Sequence, residues 1–280
     1  METAKRHFLN FNRKTKKYKI MVCGYKKKKY LCKKKSGMSK LPNAPLNEVV
    51  LELRWKITNK SDLTKIQYLY GDIYNVLKNK YPCRESIAPP EIPMEILINQ
   101  PVHRFRVAQN DYPLFQVGPG IITLNTIDDK YYWEIFSDDI EELLRSFLLV
   151  YPFQTNEKLT PSILFIDFFP LNFKEDNVHD FVNENFNFVF KQNFIKTSNN
   201  PMDVNIGFFY EISLGDLSVT FLKGKDNKQS EGIVVQTRIN GISLNPEITE
   251  IKAWIDESHN VCSELFKKLT EGKLYESFKS

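Results

Sequence analysis

The chain reads as an α+β protein: two pseudo-repeated βαβββα-like halves, with a mostly antiparallel sheet packed by long helices, behind a disordered basic N-terminal tail. Three observations predict this. Apolar residues alternate in short runs such as Glu48 to Trp55 and recur at helical spacing in runs such as Trp133 to Leu148. Glycine and proline corners, above all Gly118-Pro119-Gly120, separate neighbouring strand-like runs. The order strand, helix, two or three strands, helix recurs in residues 38–152 and 153–280, as a duplicated unit would show.

The tail is set apart by charge. Residues 1–37 hold fourteen Lys or Arg and one acid, a net +13, whereas the other 243 residues hold 25 bases and 33 acids, a net −8. The formal +5 of the whole chain therefore describes neither part. Like charges at this density repel one another and oppose compaction, so residues 1–37 are expected to be disordered when alone. Its densest run, Lys26, Lys27, Lys28 and Lys29, is a candidate for sequence-independent attachment to nucleic acid or anionic lipid. Met38 directly precedes a well-patterned strand, so it is equally a natural start, and the leader is then a translated upstream extension without function.

From Asn43 the pattern is regular. Val49, Leu51, Leu53 and Trp55 share one face of a strand, with Glu48, Glu52 and Arg54 on the other. Ser61 or Asp62 is placed to cap a helix whose stripe is Leu63, Ile66, Leu69, Ile73, Val76 and Leu77. The prolines at 89, 90 and 93 demand an extended loop. Three short strands follow, His103 to Val107, Leu114 to Val117 and Ile121 to Asn125, the last two joined by a tight hairpin at Gly118-Pro119-Gly120. Asp128 or Asp129 is placed to cap a helix of about 18 residues that Tyr151-Pro152 stops. Its Asp138, Asp139, Glu141 and Glu142 read as solvent-facing acids that suit the helix dipole.

In the second half, Ile163 to Phe169 is an almost continuous apolar run suited to a central strand. Val178, Val182, Phe186 and Val189 have helical spacing, while Phe186, Phe188 and Phe190 alternate like a strand. Gly215-Asp216 reads as a two-residue hairpin, and Lys223 to Asn227 as a second turn before the strand Gly232 to Ile239. Asn245 and Pro246 open the last long helix, its stripe running from Ile248 to Leu269 and Gly272 ending it.

Recognisable chemistry is sparse. His7, His103, His179 and His259 are scattered without metal-ligand spacing and read as surface or structural residues, and the chain implies no cofactor. Cys23, Cys32, Cys83 and Cys262 read as reduced structural thiols. No phosphate-binding glycine loop or nucleophile elbow is present. Arg104 and Arg106 share a strand face and are a candidate phosphate or carboxylate site, set against ordinary cross-strand pairing with the acidic body. Asp167 stands out, because an acid inside an apolar strand either lies at a strand end or is functional. No apolar run reaches the roughly 18 to 20 residues of a spanning helix, and the first residues lack a secretory pattern, so a cytoplasmic location is expected.

At Ala44-Pro45-Leu46-Asn47-Glu48-Val49-Val50-Leu51-Glu52-Leu53-Arg54 the chain resembles a sporadically distributed bacterial family of uncharacterised proteins of about 250 residues, which open on an APxxEVVxE(I/L)R strand. The segment Leu114 to Gly120 with Leu124-Asn125, the aromatic-rich stretch Tyr131 to Phe147 and the long last helix carry the resemblance from Met38 to the end. The resemblance implies no activity and no site residues, and its pattern has no counterpart of the tail. Patchy distribution implies mobile or defence-associated cargo.

The first expectation is accordingly a non-enzymatic binding or accessory protein that acts through a partner protein in a bacterial defence or mobile-element setting. A second is a nucleic-acid-associated protein anchored by residues 1–37. A third is a small-ligand sensor or enzyme using a cleft between the halves, with Asp167 or Arg104 in a deep pocket.

Overall fold

In the computed structural model, which describes residues 40–192 and 201–280, alternation of apolar side chains makes Leu46–Trp55 the strand β1. Val49, Leu51, Leu53 and Trp55 are buried, as the period of two requires. The helix α1, Lys60–Leu77, starts earlier than Ser61 or Asp62 would cap it. Asn59 is the cap and accepts from the Asp62 backbone N–H at 3.1 Å. Asp62 instead reaches back past the cap to accept from the Thr58 N–H at 3.0 Å and from its hydroxyl at 2.9 Å.

The strands β2, Cys83–Ser86, β3, His103–Arg106, β4, Leu114–Gly118, and β5, Ile121–Ile127, then form an antiparallel run. Pro119 and Gly120 alone join β4 to β5, with Gly120 at a φ of 76°, a left-handed value that glycine adopts without a Cβ penalty. Gly118 is required for another reason. A Cβ there would lie 1.9 Å from the Gln100 carbonyl oxygen, in the loop that precedes β3. Gly118→Ala is expected to cost at least about 1–3 kcal/mol, because backbone rather than a flexible side chain must move. A urea titration should show the midpoint falling with the slope unchanged.

The helix α2, Trp133–Val150, lies between a short 3-10 turn at Asp128–Lys130 and Tyr151. Asp128 and Asp129 therefore form that turn, and Tyr132 occupies the cap position without a side-chain hydrogen bond. Asp139 is not solvent-facing: it is buried and pairs with Lys80 at 2.7 Å, tying α2 to the end of α1.

The strand β6, Leu159–Pro170, precedes α3, Val178–Asn185, which is only eight residues long. The alternating phenylalanines win over the helical spacing: Phe186 leaves the helix to pack edge-on against Phe169 and Phe221. The strands β7, Asn205–Ile212, β8, Gly215–Lys225, and β9, Glu231–Gly241, complete the sheet. Ile212 pairs with Gly215, so Ser213 and Leu214 make the hairpin and Gly215 already belongs to β8. Leu214 is buried, and its carbonyl accepts from the Trp254 indole at 2.9 Å, which fixes the turn there. The final helices are α4, Ile248–Leu269, and α5, Lys273–Ser277.

Among the described residues one nine-stranded antiparallel sheet runs in the order β2-β3-β4-β5-β1-β6-β9-β8-β7. Its centre is the pair β1 and β6, the first strands of segments 38–152 and 153–280. One face buries Leu51, Leu124, Ile163 and Ile239 beneath the stripes of α1, α2 and α4. A second apolar cluster gathers Phe169, Val182, Phe221, Ile233 and Phe278 at the far end of β6. The opposite sheet face is polar: Glu52 accepts from Arg54 at 3.0 Å and lies 3.5 Å from Arg238, and Asn125 donates to Glu48 at 2.8 Å. No helix among the described residues is long and apolar enough to cross a membrane.

Candidate functional site

The core-facing row of β6 is Ile163, Phe165, Asp167 and Phe169, opposite Ile239, Thr237, Val235 and Ile233 of β9. Ile163 belongs to the first apolar cluster and Phe169 to the second. Asp167 thus sits at the seam between two cores, where β1 begins with an irregular register between Leu46 and Glu48. Over this seam lies a cavity of about 510 Å³. Its size is within the usual range for a small-molecule site.

Four elements supply its walls. The start of α2 and the residues before it bring Tyr131, Trp133 and Glu134. One stripe of α4, at spacings of three, one, three and one residues, brings His259, Cys262, Ser263, Phe266 and Lys267. The chain entering β1 adds Lys40 and Ala44, and α5 adds Tyr275. Trp133 and His259 stack face to face with ring centroids 3.6 Å apart, and Phe165 stands 6.2 Å from the imidazole and 6.4 Å from Tyr131.

Asp167 is 5 % exposed, and its carboxyl has no hydrogen-bond partner among the described residues. Burial, and after it the Asp128 carboxylate, pushes its pKa up to about 7. Burial likewise pushes the His259 imidazole down to about 4 and the Cys262 thiol up to about 12, Asp167 adding to the latter. Near pH 7 the imidazole and the thiol are therefore both neutral. Cys262 is a poor thiolate and His259 is committed to a stack, so these groups do not form an activated nucleophile. A cavity with a buried acid and aromatic walls is suited to recognition.

The sequence-derived candidates are not brought together. Arg104 and Arg106 do share a face, but it is the polar face of the sheet, opposite to Asp167. Arg104 lies 3.6 Å from Glu85 across the strand pair. The Gln116 side-chain oxygen, in the amide orientation that satisfies both groups, accepts from Arg104 at 2.8 and 3.0 Å. Arg106 donates to the Asp111 carbonyl at 3.0 Å and covers the Tyr112 ring at 5.5 Å. Both arginines are thus engaged within the fold. Lys26, Lys27, Lys28 and Lys29 lie outside the described residues.

Sequence reasoning missed Tyr131, Trp133, His259 and Cys262 as a group. The one local signal is the spacing His259 to Cys262, one helical turn, on a face distinct from Val261, Leu265 and Leu269. Those three line a wider groove of about 670 Å³ between α4 and β7–β8, whose polar members, including Glu264 and Lys268, are all exposed. Among the described residues no group of three or more His, Cys, Asp or Glu is placed to hold a metal ion. No family model matches the chain, and neither does any curated protein or solved structure.

Proposed function

We propose that the protein binds a small organic ligand in the cavity over β6, and that recognition rather than covalent chemistry is its role. The observation that carries this reading is Asp167, a buried acid without a hydrogen-bond partner among the described residues that opens on a cavity of ligand size. A carboxyl held in apolar surroundings opposes folding when ionised, and a ligand that satisfies it offsets that cost. The cavity draws on both segments of the chain, Tyr131 and Trp133 from one and Asp167 and His259 from the other. The antiparallel pairing of β1 with β6 at the centre of the sheet, flanked by each segment's later strands, supports descent of the two from a duplicated unit.

A thermal-shift screen of small organic compounds tests the reading. Bound ligand at a hundred times its Kd stabilises by about 2.7 kcal/mol, well within reach of the method. The expected result is a set of stabilising compounds whose effect is lost in Ala44→Trp and Ser263→Trp, which fill the cavity from two different sides. Stabilisation that survives both substitutions, or no stabilising compound at all, contradicts it.

A partner-protein role is the second reading. It is favoured by the edge strand β7, where Phe209 and Tyr210 are 74 % and 52 % exposed beside a strand edge that no other strand among the described residues pairs with. An extended segment of a partner added to that edge would cover both rings. The nucleic-acid reading rests on residues 1–37, since the remainder of the chain is net acidic.

A further inference from the structure

We propose that the ligand of this cavity is an organic ammonium cation, whose N–H groups pair with the Asp167 carboxylate while its apolar body lies against Tyr131, Phe165 and the Trp133–His259 stack. The inference rests on the cavity being a ligand site, and it follows from what the walls leave unsatisfied.

The unsatisfied carboxylate oxygens at the cavity are acceptors only. Asp167 and the buried Glu134 Oε2 are acceptors without partners among the described residues. The Tyr131 hydroxyl and His259 Nδ1 are also buried and unpartnered, and each is able to accept. The two lysines that line the cavity have partners. Lys40 pairs with Asp128 at 2.8 Å and donates to its carbonyl at 2.7 Å, and Lys267 pairs with Glu264 at 2.6 Å. A ligand that brings N–H donors satisfies these acceptors.

Charge points the same way. The titratable groups that line the cavity with Asp167 are Lys40 from the chain entering β1, Asp128, Tyr131 and Tyr132 from the chain before α2, Glu134 from α2, His259, Cys262 and Lys267 from α4, and Tyr275 from α5. With Lys40 paired to Asp128 and the imidazole, the thiol and the Tyr131 phenol neutral, the Glu134 Oε2 and ionised Asp167 are left without a cation beside them. An anionic ligand would meet the Asp167 and Glu134 carboxylates at the buried end of the cavity, where Lys40 is already paired. The rings of Tyr131 and Phe165 attract a cation through their quadrupoles, which a neutral ligand would not use.

Binding couples to a proton. A cation draws Asp167 into its ionised form, so below about pH 7 the ligand must first displace the carboxyl proton, and its affinity falls as the pH is lowered.

Calorimetric titration of the full chain with 2-phenylethylamine, 2-phenylethanol and phenylacetate separates the possibilities. At pH 8 the amine is expected to bind about ten- to a hundred-fold more tightly than the alcohol, the range for a hydrogen bond to a charged group, with phenylacetate weakest. This advantage should shrink at pH 6 and disappear in Asp167→Asn, while the alcohol's affinity stays the same in both. If the alcohol or phenylacetate binds as tightly as the amine, or the amine's advantage survives in Asp167→Asn, the cavity is a ligand site but the ligand is not a cation. If none of the three binds, both the ligand class and the cavity reading fail. The comparison within the unaltered protein decides the ligand class even where the variant does not fold.

Discussion

Asp167→Asn is expected to make the protein more stable, and to do so by a larger margin at pH 8 than at pH 5. Its folded-state pKa of about 7 lies above the ordinary 3.8, so the native state holds a proton that the unfolded chain has already released. Stability is then fullest below about pH 4, falls as pH rises through the window from about 4 to about 7, and is flat above it. Three pH units of difference correspond to a loss on the order of 4 kcal/mol by pH 8, and to less than half of that at pH 5. Asparagine has the same shape and no ionised form, so it avoids the loss at every pH. Thermal denaturation of both proteins across pH 4 to 9 reads this directly. A group that opposes folding at neutral pH and is replaceable by a neutral isostere is the pattern of a residue kept for its chemistry. A structural carboxylate with a hidden partner would give the reverse, a variant less stable at pH 8 than the unaltered protein.

Phe147→Ala is expected to cost about 3–5 kcal/mol, the range for removing a fully buried aromatic ring. Phe147 has no exposed surface and sits in a cluster with Trp55, Tyr151 and Phe153, at centroid separations of 5.0, 5.7 and 5.5 Å. Through it α2 is fixed to β1. The N-terminal end of the same helix carries Trp133 and Glu134, so the aromatic cluster also holds one wall of the cavity in register with the sheet. The fall should appear as a lower urea midpoint, and ligand affinity measured on the folded fraction should change far less than stability does.

These two residues differ in how visible they are in the sequence. Phe147 is one of a helical series ending at Tyr151-Pro152, and periodicity with a proline stop locates both the helix and its buried face. The Gly118-Pro119-Gly120 hairpin is equally legible, since two strands separated by such a corner have few other geometries. Periodicity does less well where two patterns overlap. The series Val178, Val182, Phe186 continues the helical spacing, yet Phe186 is drawn out by Phe169 and Phe221, which are distant in the chain. Gly215-Asp216 reads as a hairpin turn, but burial of Leu214 and its bond to Trp254 move the turn two residues earlier. The strand Cys83–Ser86 escapes notice because four mostly exposed residues at a sheet edge show no alternation.

The candidate site is legible only at its anchor. Asp167 breaks an apolar strand, and that alone marks it. Its neighbours Tyr131, Trp133, His259 and Cys262 are ordinary members of helix-flanking or helical stretches, and spacing tells which side of a helix is covered without telling where the covering side chains leave a void. Arg104 and Arg106 illustrate the converse. Their shared strand face is correctly read from the period of two, but only the pairing of Arg104 with Glu85 and Gln116 shows that the Arg104 charge is already in use.

The titration of the Asp167 side chain itself bears most directly on the ligand reading. With aspartate labelled at the carboxyl carbon and the resonance identified by its loss in Asp167→Asn, the signal should titrate near pH 7 in the protein alone and at markedly lower pH with 2-phenylethylamine present. A signal that titrates near 3.8 without ligand, or that the amine leaves unmoved, would contradict the account of Asp167 as a buried, unpartnered anchor awaiting a cation.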